Sequence, residues 1–485
     1  MACSADRNLV TFYLNGVRHE VGGGNAFLNL AQFLRYQVGL EGTKIVCAEG
    51  DCGACTVLVS AYRGGNWSEF KAVNSCIAPV YLFDLCSIVT VEGLAHNGDL
   101  SDVQEKMMVH HGGQCGYCTP GIVCSLGHLA ETSQRQGKKI DRRRAQNYLT
   151  GNLCRCTGYE PILKAAEAID LTQWVPLSLR YQGDEMIERF RYLDRQSVEI
   201  DLADKKLWIP TTIEGVIDIK QDRPHVRLVS GATDLGVIHN KGRQYLDEAI
   251  VLNRIPELTD FQVRDDGVWI GSMVDLSTTE RELEAVIPEM SRLLRIFASP
   301  QIKNQGTLVG NVLNGSPIGD SIPGLMVLEA RLCLISAEGE RWVSLGDFYK
   351  GYKKMDIRPE EICTGIMIPK PGKEWKAKFF KVSLRKDLDI SSVTFAGLFK
   401  INDSRILEAR IALGGVGPMV VRLSQLENEL AGESFSLSSF EQVGKQASLK
   451  IKPISDLRAS ESYRRRVTEN LFVKCFTELK QEVME

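Results

Sequence analysis

Eight of the fourteen cysteines fall into two groups whose internal spacing could hold metal. Cys47, Cys52 and Cys55 read C-x4-C-x2-C, and Cys76 follows them. Cys115 and Cys118 form a C-x-x-C, answered by Cys154 and Cys156 as a C-x-C. A 2Fe–2S rhomb needs four thiolates around two irons, and the first spacing is one of the runs that supplies them. Gly50 and Gly53 let the backbone between Cys47 and Cys55 curl, so that N–H groups can point at sulfur. Zinc is the alternative, but it usually takes cysteines in close pairs, and this run with one distant cysteine suits it poorly. Taken alone, the C-x-x-C could be a redox dithiol. Paired with a C-x-C at helix ends, it fits a second 2Fe–2S site better. Two one-electron centres in one stretch make a conductor of electrons. Cys3, Cys86, Cys124, Cys333, Cys363 and Cys475 lack partners at ligand spacing and read as small buried hydrophobes.

A second kind of chemistry is suggested by Leu228-Val-Ser-Gly-Ala-Thr-Asp-Leu-Gly236, a strand followed by a Gly-rich turn. Successive backbone N–H groups in such a turn can receive a pyrophosphate; an ordinary connection is the other reading. Neither this stretch nor Gly414-Gly-Val-Gly-Pro418 is a G-x-G-x-x-G, which disfavours a doubly wound dinucleotide-binding sheet.

The elements that must position these residues follow from periodicity. Residues 8–14 and 17–21 alternate around Asn15-Gly16 as a hairpin. Phe27 to Val38 has helical spacing, and Val57–Ala61 and Val89–Glu92 read as strands. A mixed sheet with one helix therefore occupies 1–94. Residues 95–174 turn helical: Thr119-Pro120 starts one helix, Asp141 caps another that ends at Gly151, and Pro161 opens a third. Residues 175–205, mixed and highly charged, read as a linker. Strands and helices alternate through 206–372, and a last α/β portion fills 373–485, with strands near Ala377–Ser383, Thr394–Ile401 and Ala409–Leu413.

A chain of 485 residues is too long for one core. Its formal charge of −3 gives no electrostatic reason to expect nucleic acid, and the basic runs Arg142–Arg144 and Arg464–Arg466 read as solvated helix faces. No apolar stretch approaches the roughly 18 residues of a membrane span. The polar start, without a signal-peptide core, and the clustered thiols together predict a cytoplasmic protein.

Cys47-Ala-Glu-Gly-Asp-Cys-Gly-Ala-Cys-Thr56, with Asn74-Ser-Cys76, resembles the amino-terminal domain of xanthine dehydrogenases and related molybdenum hydroxylases. The resemblance implies a β-grasp, ferredoxin-like fold there. Gln114-Cys-Gly-Tyr-Cys-Thr-Pro-Gly121 and Gly151-Asn-Leu-Cys-Arg-Cys-Thr-Gly-Tyr159 resemble the same family's second motif, which implies a helical-bundle domain whose cluster faces the molybdenum cofactor. Gln114 takes the position that approaches the pterin in relatives; by itself it reads as a loop amide. Ser299-Pro-Gln-Ile-Lys-Asn-Gln-Gly-Thr-Leu-Val-Gly-Asn311, leading to Ser316-Pro-Ile-Gly-Asp320, resembles with the earlier Gly-rich stretch the family's FAD domain, of the vanillyl-alcohol-oxidase type. It departs from the pattern at Val309 and at Gln305-Gly306.

On that resemblance Val229, Ser230, Gly231, Ala232, Thr233, Asp234, Leu235 and Gly236, with Thr307, Gly310 and Asn311, cradle the FAD phosphates. Phe297 lies against the flavin or adenine, Asp320 bonds ribose hydroxyls, and Lys381 contacts the flavin. Arg385-Lys-Asp-Leu-Asp-Ile390 resembles the loop that shapes nicotinamide access; a charged surface turn is its other reading.

The implied whole is a multidomain α+β chain carrying two 2Fe–2S clusters and FAD. It would pass electrons from hypoxanthine or xanthine, oxidised on a molybdopterin-binding large subunit, to NAD+. No residue for the hydroxylation itself is expected on this chain, and two copies of each subunit are expected. An aldehyde- or carbon-monoxide-oxidising enzyme stays open within the class, as does a non-catalytic cluster-binding redox sensor outside it.

Overall fold

Asn15 and Gly16 stand at φ 49 and 84, the left-handed pair that a tight turn between twisted strands requires. They join Val10–Leu14 to Val17–Val21 in antiparallel register, Val10 opposite Val21 and Leu14 opposite Val17. The computed structural model describes residues 6–385, 388–402 and 404–484. It divides into two compact units, one of Met1–Glu257 with Ser299–Gly306 and the other of Leu258–Ala298 with Thr307–Glu485.

In the first unit the hairpin extends into a sheet ordered Val17–Val21, Val10–Leu14, Cys86–Val89, Thr56–Arg63 and Asn66–Trp67, with Lys71–Asn74 also paired to Thr56–Arg63. Val10–Leu14 runs parallel to Cys86–Val89 while its other neighbour is antiparallel, which makes this the mixed sheet of a β-grasp. The strand expected at Val89–Glu92 lies earlier, at Cys86–Val89, because Asn15 Oδ1 accepts from the Thr90 N–H and a helical turn, Val91–Leu94, begins there. The helix expected from Phe27 starts at Leu30. Asn29 and Gln32 form a reciprocal capping box that fixes the start. The helix then widens to a π-turn over Leu34–Val38 and stops at Gly39, φ 81.

Beyond the sheet, Thr119–Arg135 is the long helix of the cysteine-bearing helical region. Ile122, Leu126 and Leu129 pack with Ala145, Leu149 and Ile162 of Arg142–Leu149 and Glu160–Glu167. Each fully buried aliphatic side chain here contributes about 1.5–3 kcal/mol. Asp141 does cap the second of these helices, its Oδ1 accepting from Arg144 N at 2.8 Å. Residues 175–205 connect the parts but form defined elements: helices Leu177–Tyr181 and Asp184–Leu193 and strand Val198–Asp201. Met186, Phe190 and Leu193 recur at helical spacing amid the charges and are buried with Tyr13, Tyr62 and Leu85. The strand joins a sheet ordered Val198–Asp201, Lys206–Ile209, Glu248–Val251, Arg227–Val229.

One buried ion group ties these pieces together. Asp84, fully buried, accepts from both Nη atoms of Arg7 at 3.0 and 2.8 Å and from Thr11 N at 2.9 Å, and is paired with Arg254, itself without exposed side chain. Arg254 Nη2 also donates to the carbonyls of Leu193 and Asp194. Sheet, helix and the 252–255 turn thus share one carboxylate.

The second unit holds an antiparallel sheet ordered Phe261–Val263, Gly267–Gly271, Ile362–Pro369, Arg331–Ser336, Gly339–Ser344. A further sheet runs Trp375–Val382, Val393–Asn402, Arg405–Gly414, Val421–Arg422, and helices Leu437–Lys450 and Glu461–Met484 follow. Here one expectation fails. Arg464 is no solvated face but almost fully buried, donating to Gly415 O at 2.9 Å and to Ser392 O and pairing with Asp456 at 2.8 Å. The chain is a multidomain α+β protein.

Burial works to raise the Asp84 carboxyl, yet Arg254 and Arg7 outweigh it and hold the group below its ordinary 3.8. Its stabilisation is therefore complete above that value and is lost as pH falls through the lowered one. Asp84→Asn strands Arg254 without its counter-charge. It is expected to lower stability by about 3–5 kcal/mol at neutral pH and to flatten the acid loss below about pH 4. Denaturant titrations of both proteins across pH measure both effects.

Candidate metal and flavin sites

The first cysteine loop is bent by three residues with positive φ: Ala48 at 54, Gly50 at 73 and Gly53 at 68. Its curvature brings amides onto sulfur, with Glu49 N 3.4 Å from Cys47 Sγ. Asn74 staples the loop to the strand that delivers Cys76, donating to Gly50 O at 2.7 Å while its Oδ1 lies 3.7 Å from Cys55 Sγ. Cys55 and Cys76 are buried; Cys47 and Cys52 are partly exposed.

The four sulfurs of this quartet neighbour one another in a run, Cys52 to Cys47 to Cys76 to Cys55. A proton shared from Cys52, then Cys76, lowers Cys47, and one from Cys76 lowers Cys55. Cys52 and Cys76 are raised as the donors. The second quartet divides into two pairs, Cys115 with Cys156 and Cys118 with Cys154. Cys156 Sγ lies 3.3 Å from Cys115 Sγ, and Cys115 is lowered by the Tyr117 amide and then by Cys156. Burial and the neighbouring Cys154 push Cys118 up to about 12. Cys154 is held by the Thr157 hydroxyl at 3.1 Å, and its amide donates to Tyr159 Oη at 2.8 Å.

Among the described residues no three His, Cys, Asp or Glu groups converge on the place of a single ion. Four neighbouring thiols are instead the donor set of a two-iron rhomb, in which each iron takes two thiolates, and the N–H groups aimed at sulfur are what such a cluster uses to set its potential. The residues present fit 2Fe–2S. Cys124 is buried in the Thr119–Arg135 helix, and Cys86, Cys333, Cys363 and Cys475 are buried too; Cys3 lies outside the described residues. Cys115 and Cys156 are exposed, and so is Gln114 beside them.

The Gly-rich turn stands directly against the first quartet. Val229 ends its strand, Ala232 adopts φ 55, and Gly236 opens the helix Leu235–Asn240 by donating to Ala232 O at 2.7 Å. Alternating hands of this kind turn successive amides toward one point and make an anion nest. The turn tolerates no side chain at two places: a Cβ on Gly231 would lie 1.8 Å from Gln305 O, and one on Gly236 would lie 1.9 Å from Ile77 O. Asn240, which sequence reasoning missed, donates to Cys76 O at 2.8 Å and Ala48 O at 2.9 Å. Its position one helix beyond the turn was the only available signal.

In the second unit Phe297, Asp320 and Lys381 come together. Lys381 Nζ pairs with Asp320 Oδ2 at 2.6 Å, donates to Phe297 O at 3.4 Å and stands 5.9 Å from the Phe297 ring centre. The other Asp320 oxygen accepts from the hydroxyls of Ser391 and Thr394, two residues that sequence reasoning did not single out. Thr307 caps the helix Leu308–Leu313, its Oγ1 accepting from Gly310 N at 3.0 Å, and Asn311 Oδ1 accepts from Ser321 Oγ at 2.6 Å. Of the loop from Arg385 to Ile390, Lys386 and Asp387 lie outside the described residues.

Three family models match the chain: "[2Fe-2S] binding domain" over 90–167, "FAD binding domain in molybdopterin dehydrogenase" over 201–371, and "CO dehydrogenase flavoprotein C-terminal domain" over 378–479. The chain belongs to the molybdenum hydroxylase family. It carries that family's electron-transferring iron–sulfur and flavin modules. It is 30% identical to xanthine dehydrogenase 1 of Arabidopsis thaliana over 87% of its own length, and 31% identical to xanthine dehydrogenase/oxidase of Rattus norvegicus over 98%. It spans 36% and 39% of those two proteins. Among solved structures, a chain of reconstituted CO dehydrogenase from Oligotropha carboxidovorans matches with TM-score 0.52 and 25% identity, covering 55% of this chain and 94% of that one. A chain of quinoline 2-oxidoreductase from Pseudomonas putida 86 shares the fold with TM-score 0.53 and 23% identity, covering 57% and 97%.

Gly231→Ala drives a methyl into the Gln305 carbonyl. Purified with excess FAD, this variant is expected to retain less than about a tenth of the wild-type flavin, measured as absorbance after acid release, with its iron unchanged.

Proposed function

We propose that this chain is the electron-carrying subunit of a xanthine dehydrogenase, working in the cytoplasm with a molybdopterin-binding large subunit, two copies of each. The observation that carries the reading is the contact of the Gly-rich turn's helix with the first thiol quartet through Asn240. A flavin seated by that turn would lie one helix from a cluster. When bound, the two clusters would carry single electrons and the flavin would pair them for transfer to NAD+.

The chain's own residues divide the work. Cys115, Cys118, Cys154 and Cys156 would hold the cluster nearest solvent, since two of them are exposed, and Gln114 beside them would meet the partner's pterin. Cys47, Cys52, Cys55 and Cys76 would hold the inner one. The stretch from Val229 to Gly236 would take FAD phosphate on its nest, and Thr307, Gly310 and Asn311 would take phosphate on theirs. Asp320, Lys381 and Phe297 would bind the ribose and flavin, the Lys381–Asp320 pair keeping both charges in place until the ligand's hydroxyls share them. The resemblance to xanthine dehydrogenases along nearly the whole chain supports purine as the electron source.

A second reading, a carbon-monoxide-oxidising partner, is favoured by the flavoprotein C-terminal model matched at 378–479. The large subunit decides between them.

The chain purified without a partner is expected to contain flavin that NADH bleaches and to pass electrons from NADH to a dye, while hypoxanthine and xanthine leave it oxidised. Purine turnover by this chain alone would overturn the division of labour. Flavin untouched by NADH would overturn NAD+ as acceptor.

A further inference from the structure

The two cysteine loops meet at one buried point, and a side chain from the distant segment Ser299–Gly306 reaches it. The loops touch backbone to backbone: Leu153 N, one residue before Cys154, donates to Cys52 O at 2.9 Å. A Cβ on Gly53 would lie 2.1 Å from Gly151 O, and one on Gly121 would lie 2.1 Å from Gly53 O. Beside this contact, Asn152 donates to Gly53 O at 3.1 Å and accepts the Ser125 hydroxyl at 2.7 Å. The Thr56 hydroxyl is likewise spent on Gly53 O, at 2.6 Å.

Three oxygens at this point can therefore only accept: Asn152 Oδ1, Ser125 Oγ and Thr56 Oγ1. The Gln301 amide Nε2 lies 2.9, 3.2 and 3.3 Å from them, and Gln301 is 1% exposed. It supplies the protons that the junction lacks, among residues that are themselves buried. Its Oε1 presses on Gly151, 2.0 Å from where a Cβ would stand. The segment has anchors of its own, since Asn304 donates to Ala72 O at 2.8 Å and Ser299 Oγ accepts from Ile302 N at 3.2 Å. These bonds hold the segment at residues other than Gln301.

We infer that Gln301 is a positioning residue for electron transfer between the two clusters: by clamping Asn152, Ser125 and Thr56 it fixes the spacing of the loops and keeps the hydrogen bond from Leu153 to Cys52 closed. The inference rests on reading both quartets as cluster sites. Tunnelling falls exponentially with separation and prefers bonded routes, and that hydrogen bond joins a ligand of one quartet directly to the residue before a ligand of the other. A Gln301 that merely fills volume would be replaceable by methionine, which keeps size and removes both protons.

The test uses the full chain with both clusters loaded and Gln301→Met beside it. With both clusters reduced, the magnetic splitting between their paramagnetic signals reports their spacing, and hydrogen exchange at the Leu153 amide reports the link. Gln301→Met is expected to keep wild-type iron and both signals, to change the splitting, and to speed Leu153 exchange roughly tenfold or more. Splitting and exchange both unchanged would overturn the inference. If Gln301→Met does not retain iron, Ser125→Ala decides: a smaller change of the same kind supports the clamp, and no change overturns it. A wild-type chain without two signals would count against the cluster reading instead, while Leu153 exchange, a property of the protein alone, would still judge the clamp.

Discussion

Close approach of sulfur to sulfur is the constraint on which the rest of this structure depends. Thiols that close together are costly to ionise, because each thiolate raises its neighbour, and they are stable only where protons or metal cations are shared among them. The protein meets the constraint twice with the same means. A loop with left-handed residues curls amides onto sulfur, and a second segment brings the remaining cysteines. In the first quartet that segment is the strand ending at Asn74; in the second it is the connection between two helices that carries Cys154 and Cys156. Glycine is required at Gly53 both by its φ and by the carbonyl that faces it.

Around that constraint the first unit is built as a support. The buried Asp84 group locks sheet, helix and turn into one body, and Asn240 and Gln301 reach into the cysteine loops from elements far away in sequence. Such long-range polar contacts cost desolvation and return geometry. Where electrons must pass between fixed centres, geometry is the useful return. In the second unit the same economy appears as the Lys381–Asp320 pair, whose two charges are buried against each other and against two hydroxyls.

Much of this could be read before the fold was known. Cysteine spacing singled out eight thiols, and the structure gathers them in two groups of four neighbours, because local spacing decides which cysteines can share one loop. The hairpin at Asn15-Gly16, the Asp141 cap and the order of the later strands were legible for the same reason: each is decided within a few residues. Long-range effects were not. Nothing local shows that Arg464 is buried, since its partners Ser392 and Gly415 lie far back along the chain. Nothing local marks Gln301 among the polar residues of its segment, and the charge of 175–205 hid an apolar stripe that packs on the first sheet. Asp320 was singled out by resemblance, but the hydroxyls of Ser391 and Thr394 that bond it come from a segment some seventy residues further along the chain.

X-ray absorption at the iron edge of the purified chain tests the central claim most directly. If the two quartets each hold a di-iron unit, iron is surrounded by sulfur alone with a second iron as near neighbour, and replacing Cys76 or Cys154 by serine removes about half of the metal. Iron bound by nitrogen or oxygen without an iron neighbour, zinc in its place, or disulfides among the eight cysteines would contradict the account.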